Sequence, residues 1–569
     1  MRTGMAAVLA LYPLLCMAGG DKAWEALDAA ARELREREAE LKLHGAALDA
    51  YREGIAAHLT GDLAAKRQAV EEAEKAAAAA QTAAGLDELR EKLQQARAAR
   101  DAKVEALLAD APAYRAARGR QEELKKKIAG LEGRIGKLAA GEVVELARLR
   151  MEELRLGKQL AGAVSAWWRR GEVEPLYKVA DEAYNALGAA SGKSAAVQQA
   201  QEKVKSARKA LADALAALPL DSGAGKELLA RSTELAARAA ESKAKVDELE
   251  KTLLAGKTVT VTVKAYDRKT KTEQDKKVSL WLPANHEYIR GVIIAHPMIG
   301  RLASANPIRV VAAREGLGTM VYDNFAGDGR QSLARLDALF EKLAAESKHP
   351  ELRGAPVLVG GLSASVLGTR NVACAVPARV FGVVHAAGGN MQEMPDDGRG
   401  MVQVPFLAHN GEFEWATPIG GMRPEYGRQT QWVMIREQML RLWRGRHEHR
   451  MTLVVVPNGD HGAWDLELTA IFVRKAAQYR LPKEKRDGSA PAVCAPLPVD
   501  KGWLTDADLD HPKFEPAPYN SYAGNKDSAF WHFDEEMARA VYEYHKGKFI
   551  LPDPTKASPV PADWPPGKK

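Results

Sequence analysis

Three short segments in the second half of this 569-residue chain carry side chains whose types and order could do nucleophilic chemistry. The first is Gly354-Ala-Pro-Val-Leu-Val-Gly-Gly-Leu-Ser-Ala-Ser-Val-Leu-Gly368. Its apolar run Pro356 to Val359 reads as a strand, Gly360 and Gly361 as a sharp turn, and the residues after Ser365 as a helix. A serine held on such a strained turn needs small residues two places before and two places after it, because larger ones collide. Ser363 has Gly361 and Ser365 in those places; Ser365 has Leu367 on its far side and fails the same test. The second segment, Val404 to Glu414, leaves an apolar strand and puts Glu412 and Glu414 just past its end. The third, Met451 to Gly462, leaves another strand and presents His461 between glycine-containing turns. A serine hydroxyl is a weak nucleophile until a base within hydrogen-bond reach takes its proton, which histidine does near neutral pH. Serine, then acid, then histidine, each following its own strand, is far harder to obtain by chance than the small-x-Ser-x-small turn alone.

The surrounding elements must bring those three segments to one place. Thr258 to Val263 and Lys277 to Leu282 alternate like antiparallel strands around a polar turn, Asp267 to Lys276. Beyond them the strands become continuously apolar: Gly291 to Ala295, Gly318 to Tyr322, the Ser363 strand, Val380 to His385, Val404 to Ala408 and Met451 to Val456. Helices are predicted over Pro307 to Glu315, Gln331 to Ser347, after Ser365, Thr430 to Arg444 and Trp464 to Tyr479. Apolar strands separated by amphipathic helices indicate an α/β fold with a doubly wound, mostly parallel sheet covered on both faces. Loops at the carboxyl ends of such strands are where a site forms. Two of these loops, His385 to Gln403 and Trp415 to Gln429, are long and hold Met391, Met394, Met401, Trp415, Met422 and Tyr426. They are expected to wall a pocket above Ser363, with Trp415 beside the substrate.

Residues 21–255 differ in kind. They are rich in Ala, Glu, Lys, Arg and Leu at helical spacing, the composition of an all-α bundle or coiled coil. Leu124, Ile128, Leu131, Ile135 and Leu138 form a 4-3-4-3 seam. Breakers at Gly61, Gly85, Asp110 to Pro112, Gly141, Gly171 to Pro175, Ala190 to Gly192 and Pro219 to Gly225 predict several helices folded back on one another, so that an intramolecular hairpin covers the seam. Trp167 and Trp168 read as packing between helices. Residues 1–20 have one early positive charge, a short apolar stretch and small residues before Asp21, the pattern of a signal peptide for export to the periplasm or medium, and nothing in the chain spans a membrane. The domain plan is 1–20, 21–255, 256–484, and a proline-rich 485–569. That last part carries one helix, Glu535 to His545, capped by Asp534 and anchored by Trp531 and Phe533, before an end that reads as disordered.

The site segments resemble those of the α/β-hydrolase superfamily, over roughly Val278 to Leu481. The resemblance makes Gly361-Leu-Ser-Ala-Ser365 a nucleophile elbow with Ser363 as nucleophile. His409-Asn-Gly-Glu-Phe-Glu414 is similar to the family's His-Gly-x-x-Asp with one residue inserted, which implies Glu414 as the acid; Glu412 is the alternative. Asn458-Gly-Asp-His461 is similar to Gly-x-x-His, with Asn458 in the glycine position, and implies His461 as the base. His296-Pro-Met-Ile-Gly300 stands where the family has its oxyanion loop. Pro297 has no N–H there, so the implied oxyanion donors are the backbone N–H groups of Met298 and Ala364. The implied activity is that of an exported serine esterase acting on a small-molecule or polysaccharide ester. The alternative is a structural or binding component of the cell envelope with a passive hydrolase module.

Other function classes receive no support. The net charge of +7 is small for this length, and the basic residues are interleaved with acids, against a nucleic-acid partner. His296, His385 and His409 end strands without paired ligand spacing, so no metal and no cofactor are expected; they read as satisfying local backbone groups. Gly188 to Ser194 is one residue short of a phosphate loop and follows a helix, hence a helix–helix turn. The helical half is open to self-association or envelope attachment. Cys374 and Cys494 could pair in an exported protein, but Cys374 lies in an apolar run and reads as a buried thiol.

Overall fold

The computed structural model describes residues 21–56, 62–108, 112–166, 174–218, 220, 223–267, 272–322, 329–388, 400–414, 431–444, 448–459 and 461–549. These form two compact units, one of Ala26–Asp247 and the other of Glu248–Lys569 together with the residues up to Glu25. The leader-like residues 1–20, the Trp167-Trp168 pair and the last twenty residues lie outside the described set.

The helical unit comprises α1 (Asp21–Ala56), α2 (Asp62–Ala83), α3 (Asp87–Leu108), α4 (Pro112–Glu132), α5 (Ala140–Ala166), α6 (Glu174–Lys193), α7 (Ala195–Ala216) and α8 (Gly223–Leu253). Alanine, leucine and the long charged residues lose little freedom in a helix, which is why these segments form one. Breakers fall between most of them. Gly85 takes φ 68° between α2 and α3, and Ser194 caps α7 through the Val197 N–H. The expected break at Gly141 lies earlier: a 3₁₀ turn at Ile135–Lys137 ends the α4 run, and Gly141 sits in the first turn of α5. The 4-3-4-3 seam is split accordingly. Leu124 packs with Leu149 and Leu156 of α5, with Ile128 and Leu131 beside them, while Ile135 and Leu138 join Ala47, Leu48, Val143 and Leu146. Within the chain, then, α5 covers the α4 seam. The helices also pair as α2 with α7 and α3 with α6.

In the second unit eight strands form one sheet: β1 (Gly256–Asp267), β2 (Thr272–Pro283), β3 (Gly291–Ala295), β4 (Leu317–Val321), β5 (Val357–Leu362), β6 (Val380–Ala386), β7 (Phe406–Gly411) and β8 (Met451–Val456). Their order is β1-β2-β4-β3-β5-β6-β7-β8. β1 pairs antiparallel with β2 and β2 antiparallel with β4; from β4 to β8 every neighbour is parallel. The sheet is therefore mostly parallel, with the antiparallel hairpin at one edge. Side chains alternate between two cores. Val292, Ile294, Val357, Val359, Phe406 and Leu453 face one, which also holds Leu336, Phe340 and Leu343 of α10 (Gly329–Ser347). Ile293, Leu358, Leu407 and Val454 face the other, with Ile308 and Val311 of α9 (Asn306–Glu315). Burial on both faces explains the unbroken apolar strands.

Three elements depart from the sequence reading. The first hairpin runs further than its apolar core, out to the pair Asp267 and Thr272, its outer part held by the strand ladder and by cross-strand contacts such as Lys264 to Asp275 at 2.9 Å. The helix expected over Thr430 to Arg444 is α-helical as α12 (Gln431–Glu437), then widens to π geometry over Gln438–Arg444. There the buried Arg444 reaches the carbonyls of His449 and Lys526 at 2.7 and 2.8 Å. The C-terminal part also holds a small sheet that the sequence did not announce, β9 (Trp503–Thr505), β10 (Ala517–Pro518) and β11 (Phe530–His532). Strands of two and three residues are too short to show periodicity.

The two helices flanking the site are α11 (Val366–Ala375), after β5, and α13 (Leu466–Arg480), after β8. The chain then returns along β8, the last strand of the sheet. Thr452 Oγ1 donates to the Trp531 carbonyl at 2.7 Å, and the Val455 N–H donates to His545 Nε2 at 2.9 Å. His545 ends α14 (Glu535–His545), whose N-cap is Asp534, accepting from the Met537 N–H at 3.2 Å. Trp531 and Phe533 are buried, and Trp531 Nε1 donates to the Val499 carbonyl. No described helix is long and apolar enough to cross a membrane. Cys374 and Cys494 are both free thiols, the second buried.

Candidate active site

Ser363 sits directly after β5 with φ 54°, in the left-handed region that a non-glycine residue rarely occupies. The strain is sustained because the turn closes on itself. A Cβ on Gly361 would lie 2.9 Å from the Ser365 carbonyl oxygen and 3.0 Å from the Val366 nitrogen, so only glycine fits. Ser365 Oγ accepts from the Leu362 N–H and donates to the Leu362 carbonyl, each at 2.7 Å. Its hydroxyl is thereby committed to the turn. The loop after β3 is pressed onto the same place: the His296 N–H donates to the Gly360 carbonyl at 2.9 Å, and Leu302 packs where a Gly360 side chain would stand.

The acid and the histidine come from neighbouring turns that are tied together. Past the β7–β8 ladder, the Glu412 N–H donates to the Val456 carbonyl at 3.0 Å and the Phe413 N–H to the Gly459 carbonyl at 2.7 Å. Glu412, fully buried, accepts from the Asn458 N–H at 2.8 Å, and Asn458 takes φ 60°. A left-handed conformation suits Asn better than other non-glycine residues. Glu414, also fully buried, places Oε1 2.8 Å from His461 Nδ1. Its Oε2 accepts from Asn410 Nδ2 at 2.9 Å and from the Gly411 N–H at 3.2 Å. An ionised carboxylate only accepts, so this contact puts the imidazole proton on Nδ1 and leaves Nε2 as the basic nitrogen.

Of the residues singled out from sequence, Glu414 and His461 are in contact, and Ser363 and Ala364 lie on the turn after β5. Because β5, β7 and β8 run parallel, all of these stand at the same carboxyl edge of the sheet. Glu412 is placed differently from Glu414, on the backbone of the histidine turn. The Met298 N–H, expected as an oxyanion donor, donates instead to His296 Nδ1 at 3.2 Å, the His296 ring capping its own 3₁₀ turn. That leaves Ala364 as the remaining donor of the expected pair. Trp415, Asp460, Met391, Met394, Met422 and Tyr426 lie outside the described residues. Met401 is buried in the core with Val404 and Phe406.

The other strand-end histidines meet hydroxyls on helices, and the His385 ring also engages the Val366 backbone, in keeping with the local backbone partner that the sequence suggested. His385 Nε2 meets Thr369 Oγ1 at 3.2 Å, and His409 Nε2 meets Thr469 Oγ1 at 3.0 Å. Burial pushes the His385 pKa well below its ordinary value and that of His409 down to about 3, so both rings are neutral. Among the described residues no cluster of three or more His, Cys, Asp or Glu could hold a metal ion. Asn410 and the turn-closing role of Ser365 were missed by sequence reasoning. Neither carries a spacing signal, since each acts through the direction of one side chain.

The sheet order and its crossovers fit the α/β-hydrolase fold. No family model and no curated protein matches the chain. Among solved structures it is similar to the esterase domain of a Rhodothermus marinus protein, at 16% identity over 38% of this chain and 99% of that one, with a TM-score of 0.23. A dienelactone hydrolase from Anabaena variabilis is similar at 16% identity over 40% and 99%, TM-score 0.26. An S-formylglutathione hydrolase from Agrobacterium tumefaciens is similar at 14% identity over 40% and 96%, TM-score 0.26. At these values the likenesses say nothing about which bond this chain acts on.

Proposed function

We propose that the protein is an exported serine hydrolase that cleaves carboxylic esters through Ser363, His461 and Glu414. The observation that carries the reading is the buried Glu414 carboxylate directed at His461 Nδ1, on the sheet edge that also holds the left-handed Ser363 turn. In this reading His461 Nε2 removes the Ser363 proton as Oγ attacks the ester carbonyl carbon. The tetrahedral oxyanion is held by the Ala364 N–H, a second donor coming from Met298 once its N–H leaves the His296 ring. Collapse expels the alcohol, which takes the proton from His461, and water then releases the acid from the acyl-enzyme by the same steps in reverse roles. Glu414 keeps the proton on Nδ1 and stabilises the imidazolium. Trp415 is proposed to sit beside the acyl or leaving group, and an acyl-substituted polysaccharide is one substrate that export would make accessible.

A fluorophosphonate probe tests this directly, since only an activated serine reacts. Wild-type protein should be labelled and should hydrolyse short 4-nitrophenyl esters, and Ser363→Ala should lose both. The Met298 contact favours a second reading, a cell-envelope structural or binding protein with a passive hydrolase module, because an N–H already bonded is not poised for an oxyanion. Unlabelled, correctly folded wild-type protein would select that reading.

A further inference from the structure

A cavity of about 380 Å³ opens on the hairpin side of the candidate site. It begins at Pro297, Val321 and Tyr322, at the carboxyl ends of β3 and β4, and reaches back over the exposed face of the β1–β2 hairpin to Ser279, Lys276 and Lys277. Its size is in the range of small-ligand pockets. Arg309, from α9, forms one wall. The guanidinium lies 4.3 Å from the centre of the Trp281 ring, and Nε donates to the Ala303 carbonyl at 2.7 Å. The same carbonyl accepts from Thr319 Oγ1 at 2.9 Å, which fixes the strand, the turn and the cation relative to one another.

Among the described residues this wall has no counterion: none of them brings a carboxylate to the cavity lining, and Nη1 and Nη2 of the half-buried Arg309 have no hydrogen-bond partner among them. Burial lowers the Arg309 pKa. A partly desolvated cation is ordinarily paired, because removing water from it costs free energy that only an anion or acceptors return. Here the stack on Trp281 and the Nε bond hold the guanidinium plane still, leaving its outer edge to form the two parallel N–H bonds that a carboxylate or another oxyanion accepts. Lys277 adds a second positive charge on the same wall.

We infer that this cavity binds an anionic oxygen group, most directly a carboxylate, carried by the substrate at a distance from the ester being cleaved. The assignment rests on the hydrolase reading for the word substrate, but the binding of an anion does not. Two measurements keep these apart. Calorimetric titration of the full chain with glutarate, sulfate and phosphate should show binding of at least one, weakened about tenfold or more by Arg309→Met and less by Arg309→Lys, as expected for loss of one charge-assisted contact. The ratio of kcat/KM for mono-4-nitrophenyl glutarate to that for the neutral 4-nitrophenyl valerate should fall by about the same factor in Arg309→Met and partly recover in Arg309→Lys. Lys277→Met, on the exposed hairpin, should move both readouts in the same direction. Absence of binding by all three anions, or binding indifferent to Arg309→Met, overturns the site. A ratio unchanged by Arg309→Met overturns its use by the substrate. Anion binding without any ester hydrolysis upholds the cavity and discards the hydrolase.

Discussion

Both oxygens of Glu414 are committed, one to His461 and the other to Asn410 and Gly411. The carboxylate is thus immobile, and its orientation of the imidazole costs no rearrangement when charge develops there. Glu414→Gln keeps the shape but can present an amide N–H to Nδ1, which favours the wrong tautomer. We expect kcat for a 4-nitrophenyl ester to fall by about 10³-fold or more, as in comparable triads, with thermal stability close to wild type. A loss below tenfold would make Glu414 a structural residue only. In the wild type, activity should be lost on acidification, since an Nε2 that carries a proton cannot act as base. A rate that does not fall at acid pH while the protein is still folded would remove His461 from that role.

The turns after β7 and β8 act as one element. Glu412 contributes to this by holding the Asn458 N–H at the foot of the histidine turn, which positions the turn that carries His461. Glu412→Ala leaves that N–H without its partner, a cost of roughly 1–3 kcal/mol. Rate constants for fluorophosphonate labelling should drop while the affinity for a substrate analogue changes little. Equal loss of both would point to general unfolding. The sequence made much of this sheet legible, because the physical demands are local. Gly291 to Ala295 and Met451 to Val456 are apolar runs bounded by breakers, and they are strands with those same ends. The small neighbours of Ser363 reflect a steric requirement two residues wide, readable in any sequence. What stayed hidden depends on side-chain direction or on non-local contact. The outer half of the hairpin on β2, Thr272 to Lys276, is polar throughout, and the Met298 N–H is claimed by a ring two residues away. Ile135 looked like a helical seam position, whereas it fills the space beside Gly54, where a side chain would collide with it.

Across the unit built on the eight-stranded sheet, neutral histidines are part of the core. Burial lowers His409, His532 and His545 to about 3 and His385 well below its ordinary value. An unfolded chain takes up a proton on each as pH falls below about 6.5, and the folded chain does not. The stability these rings confer is therefore complete above that pH and is lost on the way to about 3, at roughly 1.4 kcal/mol per pH unit for each ring. Urea unfolding midpoints should fall markedly between about pH 7 and pH 5, and a midpoint constant over that interval would contradict the buried neutral state. One of these rings does something beyond packing. His545 accepts the Val455 N–H from β8, the outermost parallel strand, while the Trp531 carbonyl engages Thr452 on the same strand. A row of unpaired strand amides is a template on which another chain can add itself. The C-terminal tail therefore serves as a guard against self-templating, and the guard is released by acid: once His545 carries a second proton it can no longer accept from Val455. A protein shortened so that this tail is missing should fail by strand-to-strand association between molecules.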